Sequence, residues 1–308
     1  MTTSRRTEPR RHHYVPRCWL AGFTDTGTKG GKLFVTDFKR QNQWVAEPGT
    51  AGFIRDFYRL EDEGASDPVM IEKALSQIED AIAPILRDID REMRPPTVEE
   101  MEPLLCFMAV QWSRVPAFRP FVLDVMDKLS YEQIAKELES PERWKRALEK
   151  AGMSSDDPGA DYERMKEFHE AKAYTLTAPT DWYVEKAFKA VESVLPGLQK
   201  RFWTTLVSPS GSFIASDNPV ILDGTKGEKV GFENAELISY AVSRHVALWG
   251  TRRPLKPQVV NRKRIASVNT LTLLRTEDQV FSAVPDFCWM DENRQYQTDW
   301  RLFSKDKY

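Results

Sequence analysis

Ile71, Leu75, Ile78, Ile82, Ile85, Ile89 and Met93 recur at steps of three and four along one stretch of this chain. That spacing gathers them on one face of an α-helix starting near Asp67 and Pro68 and running to about Met93. A helix with one apolar stripe must lay it against another element, so the fold needs a helical layer over a core. Glu72 and Glu79 fall nearly above one another, on the margin of the stripe.

Pro95-Pro96 ends this helix, and Thr97 with Glu100 forms a capping box for the next, through Leu104, Leu105, Met108, Ala109 and Trp112. Pro116 and Pro120 break that helix, and helical pattern resumes from Val122 to Leu138. Ser140-Pro141 caps another helix to about Ala151, and Ser154 to Gly159 reads as a loop. Helices near Asp161–Ala173 and Asp181–Leu195 follow, the second stopped by Pro196-Gly197.

The two ends read differently. Pro16 opens a short helix with Val15, Trp19, Leu20 and Phe23 inward; Lys32 to Phe38 alternates as a strand, with Gln43 to Ala46 as its hairpin partner. After Arg201, RFWTTLVSP and GSFIASDNPVIL read as two strands of a hairpin joined by a Pro-Ser-Gly turn. Tyr240–Val242 and His245–Thr251 are further strands, and Asn261 to Arg275 is helical, with Ile265, Val268, Leu271 and Thr272 inward. The expected fold is α+β: one domain spanning 1–308, with a helical region 67–198 between strand-bearing segments 11–58 and 201–308.

Nine Trp and sixteen Phe in 308 residues supply ample core. No apolar run approaches the roughly 20 residues of a membrane span, and MTTSRRTEPRRHH lacks the apolar region of a secretory signal. Cys18, Cys106 and Cys288 are odd in number and far apart, without a CxxC pair. These features point to a cytoplasmic protein with no membrane partner and with thiols that pack as small hydrophobes.

The net charge of −2 hides segregation. Arg5, Arg6, Arg10, Arg11 and Arg17 precede Asp25 with only Glu8 opposing them. Leu237 to Thr276 holds no acid but contains Arg244, Arg252, Arg253, Lys256, Arg262, Lys263, Arg264 and Arg275, whereas acids concentrate between Glu61 and Glu102. Two such basic segments can build a face for nucleic acid or another phosphate-bearing ligand, or a solvated surface balanced by the acidic helices.

The densest chemistry lies in RRHHYVPR. His12 and His13 offer proton transfer or metal ligation, Tyr14 a phenol and Arg17 an anion-binding guanidinium. In a strand the two imidazoles face opposite ways, so one serves a site while the other packs. A second constellation is Ser216-Asp217-Asn218-Pro219 at the end of FIAS, read either as a carboxylate for catalysis or metal binding, or as an Asx turn. The third is QWSRVPAFR, where Gln111 and Arg114 share a helix face and Arg119 lies beyond the proline break. Its arginines either clamp an anion or pair with Glu72 or Glu79. HHYVP also has the start of a His-Asn-His nuclease finger, but no histidine follows until His169, so that finger is incomplete. GxGxxG, P-loop, GxSxG and HExxH signatures are absent from the sequence.

HHYVPRCWLAGFTD resembles the opening of a widespread bacterial family known only as a domain of unknown function. The resemblance continues through RDFY (Arg55–Tyr58), the helix with Glu72 and Glu79, QWSRVPAFR, FIASDNPV, the Asn269 helix and Val280-Phe281-Ser282. Cys18 stands where the family has an aromatic, and Trp19 supplies one a place later. The resemblance implies one long domain in which these motifs meet, and no established activity.

The leading expectation is a phosphodiester hydrolase acting on nucleic acid, in a bacterial defence or toxin-like setting. His12 or His13 would act as base, His13 and Asp217 would hold Mg2+ or Mn2+, Arg17 and Arg114 would stabilise phosphate charge, and Arg244, Arg252, Arg253, Arg262, Lys263 and Arg264 would track the backbone. Tyr14, Gln111, Arg119 and Asn218 would line the ligand site. The alternatives are a non-enzymatic binding or interaction protein with structural histidines, and a small-molecule enzyme.

Overall fold

A computed structural model describes residues 11–58, 70–154, 157, 160–172, 174–225 and 230–308. Arg5, Arg6, Glu8, Arg10, Glu61, the expected helix start at Asp67 and Pro68, and parts of the expected loop 154–159 lie outside the described residues. Among the described residues the fold is α+β. It contains β1 (Arg11–His13), α1 (Arg17–Leu20), β2 (Leu33–Asp37), β3 (Asn42–Ala46), β4 (Phe53–Arg55), α2 (Met70–Glu92), α3 (Val98–Arg114), α4 (Phe118–Glu137), α5 (Pro141–Ala151), α6 (Tyr162–Glu170) and α7 (Thr180–Gln199). Then follow β5 (Phe202–Val207), β6 (Ala215–Ser216), β7 (Val220–Asp223), β8 (Leu237–Ala241), β9 (Val246–Thr251), β10 (Gln258–Val259), α8 (Arg262–Arg275), β11 (Gln279–Ser282), β12 (Trp289–Met290) and β13 (Tyr296–Gln297). They group into two compact units, Met1–Ala117 with Thr180–Tyr308, and Phe118–Pro179.

The larger unit holds every sheet among the described residues. A five-stranded sheet runs β10-β5-β9-β8-β7, antiparallel except for β10 with β5, and a four-stranded antiparallel sheet runs β3-β2-β11-β6. The main core joins the α2 stripe (Ile82, Leu86, Ile89) to Trp19, Leu20 and Phe23 around α1, to Leu104, Phe107 and Met108 of α3, and to Tyr240 and Leu248 of the larger sheet. Each such buried side chain contributes roughly 1.5–3 kcal/mol. A second cluster, Ile214, Leu273, Val280, Trp289 and Trp300, seals the smaller sheet against α8 and the tail.

Several caps follow the sequence reading. Thr97 and Glu100 exchange reciprocal bonds at the start of α3, Ser140 accepts from Arg143 N–H at 3.3 Å, and Asn261 accepts from Arg264 N–H at 3.0 Å. Prolines behave otherwise. Helix α7 continues through Pro196 to Gln199, because Gly197 and Leu198 are buried and a Cβ at Gly197 would lie 2.8 Å from Phe232. Tertiary packing there offsets the lost N–H. Pro120 lies in the first turn of α4, where a proline is tolerated, so the break falls at residues 115–117.

The expected hairpin between RFWTTLV and FIASDNPVIL does not form. Strand β5 pairs with β9, β6 with β11 and β7 with β8. The Ser243–Val246 turn separates them: Ser208 N–H donates to His245 O, and Phe213 N–H to Arg244 O. Non-local edges outcompete the local partner.

The smaller unit packs α4 with α5 and α6. His169 of α6 is buried and stacks on Tyr131 at 4.0 Å, and Trp144 donates to Ala160 O at 2.9 Å.

The N-terminal motif is placed by a small antiparallel pair, β1 with β4, in register Arg11↔Arg55, His12↔Ile54 and His13↔Phe53. The chain leaves that pair through Gly52, whose carbonyl accepts from both Tyr14 and Val15 N–H at 3.0 and 3.1 Å. Gly52 has φ +62°, and a Cβ there would lie 2.7 Å from Val15 Cβ. Gly52→Ala is therefore expected to destabilise the protein by about 2–4 kcal/mol in urea unfolding; an unchanged midpoint would show that this turn does not hold the motif.

Candidate functional site

Strand β1 sends its histidines to opposite faces, as alternation requires. His12 is 1% exposed; its Nδ1 accepts from Tyr58 N–H at 2.8 Å, and its ring stacks on Tyr58. That acceptor role leaves Nε2 as the ring's donor. His13 is also buried, tilted against Phe53, and its Nε2 has no hydrogen-bond partner.

Arg114 ends α3 directly behind this strand. The guanidinium, on a residue only 4% exposed, bonds Glu79 at 2.9 Å through Nη1 and the carbonyl of His13 through Nη2. The Tyr58 hydroxyl donates to the carbonyl of Arg114. One buried side chain thus ties β1, α2 and α3 together. Glu79 is the partner the sequence offered for Arg114; Glu72 has a buried Oε2 without a partner, and burial pushes its carboxyl up, against the pull of His12 and Arg114. Gln111 turns elsewhere, donating to the Tyr240 hydroxyl at 3.1 Å.

His13 stands in a positive field. Burial, then Arg17, with Arg114 and Arg11 adding to it, pulls its imidazole down to about 4, against the Gly49 carbonyl, which favours the proton. Arg11 lies over Phe53 at 5.1 Å and the guanidinium of Arg17 lies by Gly49; both residues are exposed and neither makes an ion pair among the described residues. A neutral imidazole beside two uncompensated guanidiniums can accept a proton while an anion binds next to it. Cys18 is no nucleophile here, because burial holds its thiol up to about 12.

The SDNP turn is held by backbone contacts of its own. Both Asp217 oxygens are occupied by backbone donors: Oδ1 accepts from Glu277 at 2.9 Å, and Oδ2 from Asp278 and Gln279 at 2.7 Å each. Burial pushes this carboxyl up to about 6, against those three amides, which pull it down. Asn218 donates to Arg275 O at 3.0 Å, and Ser216 closes the turn. The carboxylate clamps β6 to the segment that leads from α8 into β11. Tyr14 lies within its field: burial first, then Asp217, Asp278 and Asp37, drives the phenol upward. Among the described residues no group of three or more His, Cys, Asp or Glu is arranged to hold a metal, so the expected pairing of His13 with Asp217 around Mg2+ or Mn2+ gains no further ligand.

The basic segment is divided between structure and surface. Arg244 donates to Thr24 O and to His245 Nε2, and Arg252 to Glu233 O at 3.2 Å. Arg264 lies over Trp249 and Arg262 over Tyr296, while Arg253 and Lys263 are exposed. Arg119 lies on α4, in the smaller unit. Sequence reasoning had Tyr58 and Asn269 only as marks of the family resemblance and gave neither a structural role. The latter is fully buried and its Nδ2 donates to Ser212 O and Cys288 O, joining α8 to two loops. The interruption of an apolar helix face by asparagine was the available signal.

Two outcomes follow. Asp217→Ala is expected to cost about 2–4 kcal/mol in urea unfolding, and Asp217→Asn less, because an amide oxygen still accepts from some of the donors. The ordinary histidine value of 6.5 falls to about 4 for folded His13, so its contribution is complete above pH 6.5 and is lost as pH falls towards 4. His13→Gln should flatten the stability-versus-pH curve in that window, by up to about 3 kcal/mol; an unchanged slope would show that His13 protonates freely in the fold.

No curated protein and no solved structure matches the chain, and no helix among the described residues is long and apolar enough to cross a membrane. One family model matches residues 11–286, which takes in the histidine strand, the Arg114 helix and the SDNP turn. The chain therefore belongs to a family described as protein of unknown function (DUF4238).

Proposed function

We propose that the protein is a phosphodiester hydrolase acting on nucleic acid, with His13 as the general base. One observation carries this reading: a buried imidazole, neutral at physiological pH and with a ring nitrogen lacking a partner, stands among Arg11, Arg17 and Arg114. Arg11 and Arg17 would bind the phosphate oxygens. An attacking water would give its proton to His13 as its oxygen bonds to phosphorus, and the departing ester oxygen would take a proton from solvent. The exposed Arg253, Arg262, Lys263 and Arg264 would add sequence-independent backbone attraction. Asp217 and Arg244, committed to internal backbone groups, take no part.

A second reading has its own support. His12 accepts from Tyr58, and Arg114 grips the His13 carbonyl, so the motif also fastens the N-terminal strand to the body. A binding or interaction protein needs no more than that.

Cleavage of single- and double-stranded DNA and RNA, without added metal and with Mg2+ or Mn2+, separates the two. The hydrolase reading expects cleavage that His13→Gln reduces by about 100-fold or more and Arg17→Gln weakens with a rise in KM, with melting temperatures close to wild type. Absence of cleavage on every substrate, or equal cleavage by His13→Gln, would overturn it. A lowered melting temperature without any lost activity would favour the fastening role.

A further inference from the structure

A cavity of about 350 Å³ opens between α2 and the α1 segment with the turn after it. On α2 it is lined by Ala83, Leu86, Arg87 and Asp90, a stripe at i, i+3, i+4 and i+7 on one helix face. Trp19, Ala21 and Val242 supply apolar surface opposite. The volume is at the small end of ligand pockets, which span about 300–1,000 Å³.

Its polar groups are arranged by sign. Asp90 is only 9% exposed, and its buried Oδ1 has no hydrogen-bond partner. A buried carboxylate oxygen left unmatched is costly, so the site is built for a donor that arrives with a ligand. Gly27 keeps the approach clear, since a Cβ there would lie 2.8 Å from Asp90 Oδ2. Lys29 and Arg87 line the same cavity, are exposed, and make no ion pair among the described residues. A free anion such as phosphate would meet the Asp90 charge, and a simple amine would leave both cations unused. The ligand that answers all three features carries an ammonium, an anionic group and an apolar body.

We infer that this cavity binds a free apolar α-amino acid, its ammonium on Asp90, its carboxylate toward Arg87 and Lys29, and its side chain against Trp19 and Leu86. This site is separate from His13 and does not depend on the hydrolase reading. The Cys18 thiol at its wall stays protonated, so the binding is non-covalent.

Isothermal titration of the full chain with L-leucine, L-methionine and L-phenylalanine tests it, beside the N-acetyl and methyl-ester forms of each. Saturable binding of at least one free amino acid is expected, with acetylation and esterification each weakening it by about tenfold or more. Asp90→Asn and Arg87→Gln should weaken it similarly, and Ala83→Leu should abolish it by filling the cavity. Arg87 is exposed, so Arg87→Gln decides the matter if Asp90→Asn fails to fold. No binding of any of the three up to about 10 mM, or binding indifferent to acetylation or to Arg87→Gln, would overturn the inference.

Discussion

The larger unit depends on the buried guanidinium of Arg114. It reaches Glu79 on α2 and the His13 carbonyl on β1, while its own carbonyl receives the Tyr58 hydroxyl. Tyr58 in turn gives its backbone N–H to His12. A buried charge is tolerable only when its partners are fixed, and removing one partner of such a pair typically costs about 3–5 kcal/mol. The geometry of the N-terminal strand is thus set from α2 and α3, since a three-residue strand cannot hold itself.

That dependence gives the two histidines different lives. His12 is drawn into the Arg114 network and becomes part of the wall. His13 faces away, among guanidiniums, and burial with that field keeps it neutral. Its Nε2 is buried and has no hydrogen-bond partner. Elsewhere the same residue types are spent on architecture. Asp217 spans three amides, Arg244 holds the Thr24 turn and Arg201 donates to two backbone carbonyls.

How much was legible in the sequence depended on the range of the contacts. The α2 stripe, the capping box at Thr97, the Ser140 cap, the β2–β3 hairpin and the inward set Val15, Trp19, Leu20 and Phe23 could be read because each follows from spacing of a few residues. Alternation likewise separated His12 from His13. The partners of β5 and β6 were not legible, because the Ser243–Val246 turn that divides them lies over 25 residues downstream of β6. Pro196 misled for the same reason: what holds the last turn of α7 is Phe232, distant in the chain. Charge clustering did not predict the internal use of Arg244, nor did the turn motif predict the three backbone amides that hold Asp217. Sequence proximity fixes composition of a segment, but a side chain's partner is set by the fold.

Native-state hydrogen exchange on Arg114→Met tests the central claim most directly. If Arg114 holds the motif strand in place, amide protection should fall at residues 11–13 and 53–55 while the β5, β8 and β9 amides keep theirs. Undiminished protection across β1 and β4 would contradict the account, as would an equal loss throughout both sheets.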